Sequence, residues 1–164
     1  MIRRGLVWGL FFTLVLSTLS ANAQTQDDAD IKLLFRHYMT KYNHFLQTSE
    51  LKATPALYGD TVMLMSNSVP PRTLTGELMN EQVTKFLTRL KQQGISRVEW
   101  ESTNIKRLSP NLAIASNVAA RYRRDGSLFN RVGATYYVYK QQGQWRISAF
   151  AIHDPGNVLS MTKG

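Results

Sequence analysis

The sequence predicts an α+β domain in which helices come first and pack on an antiparallel sheet. Three observations carry the prediction. Two stretches repeat apolar residues at three- and four-residue steps, the period of an amphipathic helix. Four strand-like runs rich in β-branched and aromatic residues follow them. Three tight turns separate those runs, and tight turns join antiparallel neighbours because parallel pairs need long crossovers.

Before the domain, Arg3 and Arg4 precede an almost wholly apolar run from Leu6 to Leu19, and Ala21-Asn22-Ala23 supplies small residues. A positive start, an apolar stretch and an A-x-A site are the three parts of a secretion signal. Residues 1–23 are therefore expected to be cleaved, leaving a single domain over 24–164 with Gln24 first. The apolar run is shorter than the roughly 20 residues a spanning helix needs, so no membrane span is expected after cleavage.

The first helix is expected from Asp30 to Gln47, with Ile31, Leu34, Phe35, Tyr38, Tyr42, Phe45 and Leu46 as its apolar stripe. Asp27, Asp28 and Asp30 fit the negative charge that a helix N-terminus favours. Leu51 to Tyr58 reads as a short helical or turn segment, and Thr61 to Ser66 as a strand broken off by Pro70-Pro71. The second helix runs from Gly76 to Gln93, its stripe being Met79, Val83, Phe86, Leu87 and Leu90, with Gly94 as a left-handed stop. Strands follow at Ser96–Leu108, Leu112–Arg124, Leu128–Gln141 and Gln144–His153. In the last strand, alternation puts Trp145, Ile147, Ala149, Ala151 and His153 on one face. Arg146, Ser148, Phe150 and Ile152 fall on the other, and that face is also partly apolar. A second subunit is the simplest cover for it, so a homodimer is expected.

Composition removes several classes of function. The chain has no cysteine, which excludes disulfides, thiolate catalysis and cysteine-ligated metals. Twenty basic against 11 acidic side chains give a formal charge of +9, and losing Arg3 and Arg4 leaves the balance basic. Such a balance suits anionic envelope surfaces or acidic ligands. For a periplasmic or secreted protein, nucleic acid is not an expected partner.

Arg131-Val-Gly-Ala-Thr-Tyr-Tyr-Val-Tyr139, Gly143-Gln-Trp-Arg-Ile147 and Phe150-Ala-Ile-His-Asp154 follow a helix, strand and helix in an order that resembles the nuclear-transport-factor-two-like superfamily. Ketosteroid isomerases and SnoaL-like cyclases belong to it. The resemblance covers nearly all of residues 24–164. It implies a cone-shaped α+β barrel with a curved sheet, frequent dimerisation and a pocket between the sheet and the helices. These motifs mark a fold and no single activity.

The residues do not supply a complete catalytic set. Steroid isomerisation needs a carboxylate base with Tyr or protonated acid donors. Of the carboxylates, Asp60 and Asp154 alone lack an obvious helix-end, turn or outward strand position, and each has an ordinary turn explanation. His37 and His44 lie seven residues apart, roughly 10 Å along one helix, too far to share an ion. With Lys41 between them they read as a solvent-facing row, and no metal or cofactor is expected.

A binding pocket has more support. Tyr38, Tyr42, Trp100, Tyr137 and His153 are polar interruptions of the expected apolar interior, and the opposite phase of the second meander strand adds Asn117 and Arg121. Pockets are mostly apolar with a few placed polar groups. Arg121, Arg123, Arg124 and Arg131 gather near one hairpin end, where an acidic ligand or partner is an option beside a solvated loop. The reading is an exported binding or accessory protein for a small apolar or weakly acidic molecule. Two alternatives stand beside it. One is an isomerase, cyclase or dehydratase with His153 as acid or base and Tyr137 or Tyr42 as donor. The other is a protein-interaction module using the Arg146 and Phe150 face.

Overall fold

A computed structural model describes residues 12–68 and 70–161, with side chains from 26 onward. Helix α1 (Phe12–Thr48) leads into strands β1 (Tyr58–Met65) and β2 (Arg72–Thr75), then helix α2 (Gly76–Gln92). Strands β3 (Ile95–Ser109), β4 (Leu112–Arg123), β5 (Leu128–Gln141) and β6 (Gln144–His153) complete the sheet, and a 3-10 turn spans Pro155–Asn157. The expected signal at 1–23 lies partly outside the described residues. Among the described residues, no helix is long and apolar enough to cross a membrane.

The α+β class holds, with two helices on one face of a curved six-stranded sheet of order β2-β1-β6-β5-β4-β3. The meander is antiparallel throughout. The sheet as a whole is mixed, because β1 pairs parallel with β6. It does not close, so β2 and β3 remain as edges. Strand β2, Arg72-Thr-Leu-Thr75, escapes the sequence pattern because it is four residues long with a single apolar side chain. Residues 51–57 form a connection and no helix.

Local chemistry explains the boundaries of α2. The Thr75 hydroxyl accepts from the Leu78 amide at 3.2 Å, Glu77 sits in the first turn, and Arg89 and Lys91 sit in the last. Gly94 follows at φ +82°, a left-handed conformation that favours glycine.

Helix α1 buries its predicted stripe against the sheet. Its backbone is tied down as well. Trp100 donates its indole N–H to the Phe35 carbonyl at 2.9 Å, and Asn43 exchanges two hydrogen bonds with the Val98 backbone at 2.8 and 2.9 Å. The helix continues to Phe12, so Asp27 lies within it rather than at its start. Asp27 is buried and accepts from Lys140 and, at 3.3 Å, from the Trp145 indole, while Arg107 stands 3.1 Å away. The Lys140 hydrogen bond, ahead of burial acting the other way, holds its carboxyl below the usual carboxylate range. Lys41 is a second correction. It is buried, not solvent-facing, and donates to the Ala53 and Pro55 carbonyls, pinning the α1–β1 connection.

One bulge decides which way the last strand faces. Tyr137 pairs with Ala149 and Val138 with Ile147, which leaves Ser148 as an extra residue whose hydroxyl donates to the Tyr137 carbonyl at 3.1 Å. Trp145 and Ile147 therefore face the helices, and past the bulge so do Phe150 and Ile152. Ala149, Ala151 and His153 turn to the outer face with Tyr137 and Tyr139.

Candidate functional site

The concave sheet and both helices enclose a cavity of about 210 Å³. From α1 come Tyr38, Met39 and Tyr42. Met79, Gln82, Val83, Phe86, Arg89 and Leu90 come from α2, and β1 and β2 add Leu64 and Arg72. The floor is Val98, Trp100, Ala119, Arg121, Val132, Ala134, Tyr136, Phe150 and Ile152. These side chains share a face because β3, β4 and β5 pair in register there: Trp100 opposite Ala119, Ala119 opposite Val132.

Aromatic rings form one connected wall. Tyr38 lies 4.1 Å from Tyr42, 5.2 Å from Trp100 and 6.1 Å from Tyr136 between centroids, and Tyr136 stacks on Phe150 at 5.6 Å. The Tyr42 and Tyr58 hydroxyls are hydrogen-bonded at 3.1 Å. Burial pushes Tyr38 up, and pushes Tyr42, Tyr58 and Tyr136 well up, so all four remain phenols and keep a donor proton at any ordinary pH.

Arg121 enters from β4 with its guanidinium 5.2 Å from the Phe86 ring centroid. It is partly buried, and burial pulls its pKa down against the opposing pull of Tyr38, Tyr42 and Tyr136. No carboxylate pairs with it among the described residues. Asn117 lies four residues back along β4 on the same face, opposite Thr103 and Ala134. It is fully buried, and neither side-chain polar atom has a partner among the described residues. It does not itself line the cavity.

Of the residues singled out from the sequence, Tyr38, Tyr42, Trp100 and Arg121 converge on the cavity. Tyr137 and His153 do not, because both lie on the outer face; Tyr137 is 41% exposed. His153 belongs to a different structure. Its Nδ1 meets the Asp154 carbonyl at 2.8 Å, which requires the proton on Nδ1. In the neutral imidazole its Nε2 then accepts from Thr135 Oγ1 at 2.9 Å. Thr135 in turn meets Ser116 Oγ at 2.9 Å, which accepts from the Leu159 amide at 2.9 Å. This chain of hydrogen bonds fastens the C-terminal segment over the outer face. Gly133 lies beneath it, where an added Cβ would meet the imidazole at 2.5 Å and the Asp154 carbonyl at 2.7 Å. Part of the cover expected from a second subunit is therefore supplied by the chain's own tail.

Both remaining carboxylates lie outside the cavity. Asp60 is in β1 rather than a turn and accepts from Gln141 at 3.0 Å, and Asp154 caps the 3-10 turn through the Gly156 amide at 2.7 Å. The arginine group divides as well. Arg131 pairs with Glu101 at 2.7 Å, Arg123 stacks on Phe129 at 4.7 Å, and Arg121 turns inward. Sequence reading missed Phe150 and Ile152, whose face depends on the Ser148 bulge, and Tyr136, the β5 neighbour opposite in phase to Tyr137. It also missed Arg72, which sits on the unrecognised β2, and Arg89, which passes for a helix-end cation.

Residues 27–155 match the profile of a family described as NTF2-like protein (DUF6841). The chain belongs to this family. Solved structures agree on the fold. An NTF2-like protein with a cystatin-like fold from Novosphingobium aromaticivorans is similar over 91% of this chain and 94% of its own, with TM-score 0.67 at 10% identity. An NTF-2 like protein of unknown function from Shewanella oneidensis is similar over 78% of this chain and 99% of its own, with TM-score 0.56 at 17% identity. A domain of unknown function with a cystatin-like fold from Nostoc punctiforme covers 84% and 80%, with TM-score 0.58 at 16% identity. No curated protein matches the sequence. At these identities the NTF2-like likeness is one of fold, and activity must be argued from the site.

Proposed function

We propose that this NTF2-like chain is an exported protein that binds a small apolar or weakly acidic molecule in the cavity of the cone. The lining carries the reading: an aromatic and aliphatic wall includes three tyrosines and a guanidinium, the composition of a ligand pocket. No carboxylate or imidazole lines it among the described residues. Proton abstraction beside a carbonyl needs a base within hydrogen-bond reach, and Asp60, Asp154 and His153 all lie elsewhere. Binding therefore fits the lining better than isomerase chemistry.

Native mass spectrometry of the protein purified from an exporting host tests this. The expected result is a retained small mass that is lost in Ala119→Phe, a substitution that fills the cavity floor. A bare protein that no compound of a small-molecule library stabilises against heat would overturn the reading. The same spectra test two attached proposals. Cleavage after Ala23 predicts a chain starting at Gln24; Asp27, the first buried side chain among the described residues, lies past the cut. A homodimer predicts twice the chain mass. The exposed Tyr137 and Tyr139, at 41% and 47%, favour that state as a patch left outside the tail.

A further inference from the structure

Cations on the concave face are paired with a carboxylate at one end and, among the described residues, unpaired at the other. Arg107 and Lys140 share the Asp27 carboxylate. Arg121, on the same face further along β4, has no carboxylate partner among the described residues, and its guanidinium lies in the cavity wall against the Phe86 ring. A partly desolvated cation without a counter-ion is costly. The other charged side chains of the lining, Arg72 and Arg89, carry the same sign and are more exposed. Their fields add to that of Arg121 rather than neutralising it.

We propose that the cavity is specific for a monocarboxylic acid with an apolar body, its carboxylate received by Arg121 and flanked by the tyrosine hydroxyls. This rests on the pocket reading above and narrows it. A guanidinium presents a planar fork that meets both oxygens of a carboxylate. Tyr38 and Tyr42, buried as phenols beside it, offer neutral donors and cannot repel an anion by ionising. One partly buried cation matches one negative charge. A phosphate dianion would leave its second charge to Arg72 and Arg89 in exposed positions, where ion pairs are weak. The remainder of the wall, Trp100, Val83, Phe150 and Ile152 among it, receives the body. A volume of about 210 Å³ suits a medium-chain or single-ring acid.

The test is isothermal titration calorimetry of the mature protein with two acid and alcohol pairs: octanoate against octanol, and 4-phenylbutyrate against 4-phenylbutanol. At least one acid is expected to bind ten-fold or more tightly than its alcohol. Octylamine is expected not to bind. Arg121→Met should bring the acid down to the level of its alcohol, and Arg121→Lys should lose most of the preference because an ammonium lacks the fork. The wild-type comparison decides the matter even if a variant fails to fold. An alcohol binding as tightly as its acid overturns the anion specificity and leaves the pocket reading intact. Absence of binding by all five probes overturns both.

Discussion

The two ends of the concave face use the same residue types to opposite effect. Near the start of the packed part of α1, a single buried carboxylate, Asp27, gathers Arg107 from β3, Lys140 from β5 and the Trp145 indole from β6. Four elements are joined there and every charge has a partner. At the other end of β4, roughly 25 Å along the strand from Ala113 to Arg121 at about 3.3 Å per residue, a guanidinium faces a cavity with none. A paired cluster holds a fold together. An unpaired cation leaves a favourable interaction unmade, the feature on which the proposed binding rests. The difference separates the part of this domain that serves stability from the part suited to binding.

Substitutions at the paired end should have the largest effects. Asp27→Ala is expected to cost about 3 kcal/mol in urea unfolding, the lower end for a broken buried pair because Lys140 keeps 26% of its side chain exposed. The pH dependence has a definite sign. The folded-state pKa of Asp27 is depressed, so its contribution is present above the unfolded carboxylate value near 3.9 and is lost as pH falls through the lower folded value. Asp27→Asn should therefore flatten the acid limb of the stability curve; an unchanged limb would remove Asp27 from its central place. Arg107→Met and Arg121→Met form a sharper contrast, because the side chains removed are identical. The first is expected to destabilise by about 1–2 kcal/mol. The second should leave the ligand-free melting temperature unchanged or raised, since it removes an uncompensated charge. Equal losses from both would abolish the distinction between the ends.

Two smaller effects extend the comparison to neutral polar groups. Asn117→Leu replaces a fully buried amide lacking partners by an apolar group of similar shape, and should stabilise the ligand-free protein by about 1 kcal/mol. A loss instead would reveal a partner for that amide. His153→Ala removes the terminal acceptor of the Ser116–Thr135 chain and should cost about 1 kcal/mol. Faster amide exchange at Leu159 and unchanged ligand binding are expected with it. A change in ligand binding would return His153 to the site from which its outward position removes it.

Much of the fold was legible because the signals were local. Period and turn chemistry located α2 and the four meander strands to within a residue or two, and the Gly-x-Trp-x-Ile hairpin with its neighbours indicated the NTF2-like superfamily. The site was half legible. Tyr38, Tyr42, Trp100 and Arg121 follow from period and phase on α1, β3 and β4, elements whose phase holds across the cavity. His153 was misplaced because strict alternation was carried through Ser148, and Tyr137 because its phase on β5 was not tied to the Val138–Ile147 pair. One extra residue reverses the face of everything beyond it, and a serine in an apolar strand does not announce a bulge.

Composition, periodicity and turn residues, taken alone, determined the class of the domain, its element order, the apolar stripe of each helix and the absence of cysteine chemistry. These are properties of neighbouring residues and need no knowledge of what lies across the sheet. Only the tertiary structure decided that Asp27 has three partners more than 75 residues away, that β1 joins β6 in parallel, that the C-terminal segment covers Ser116, and that Arg121 has no carboxylate partner among the described residues. Whether a charge is paired depends on groups brought together by folding, and no local pattern encodes it.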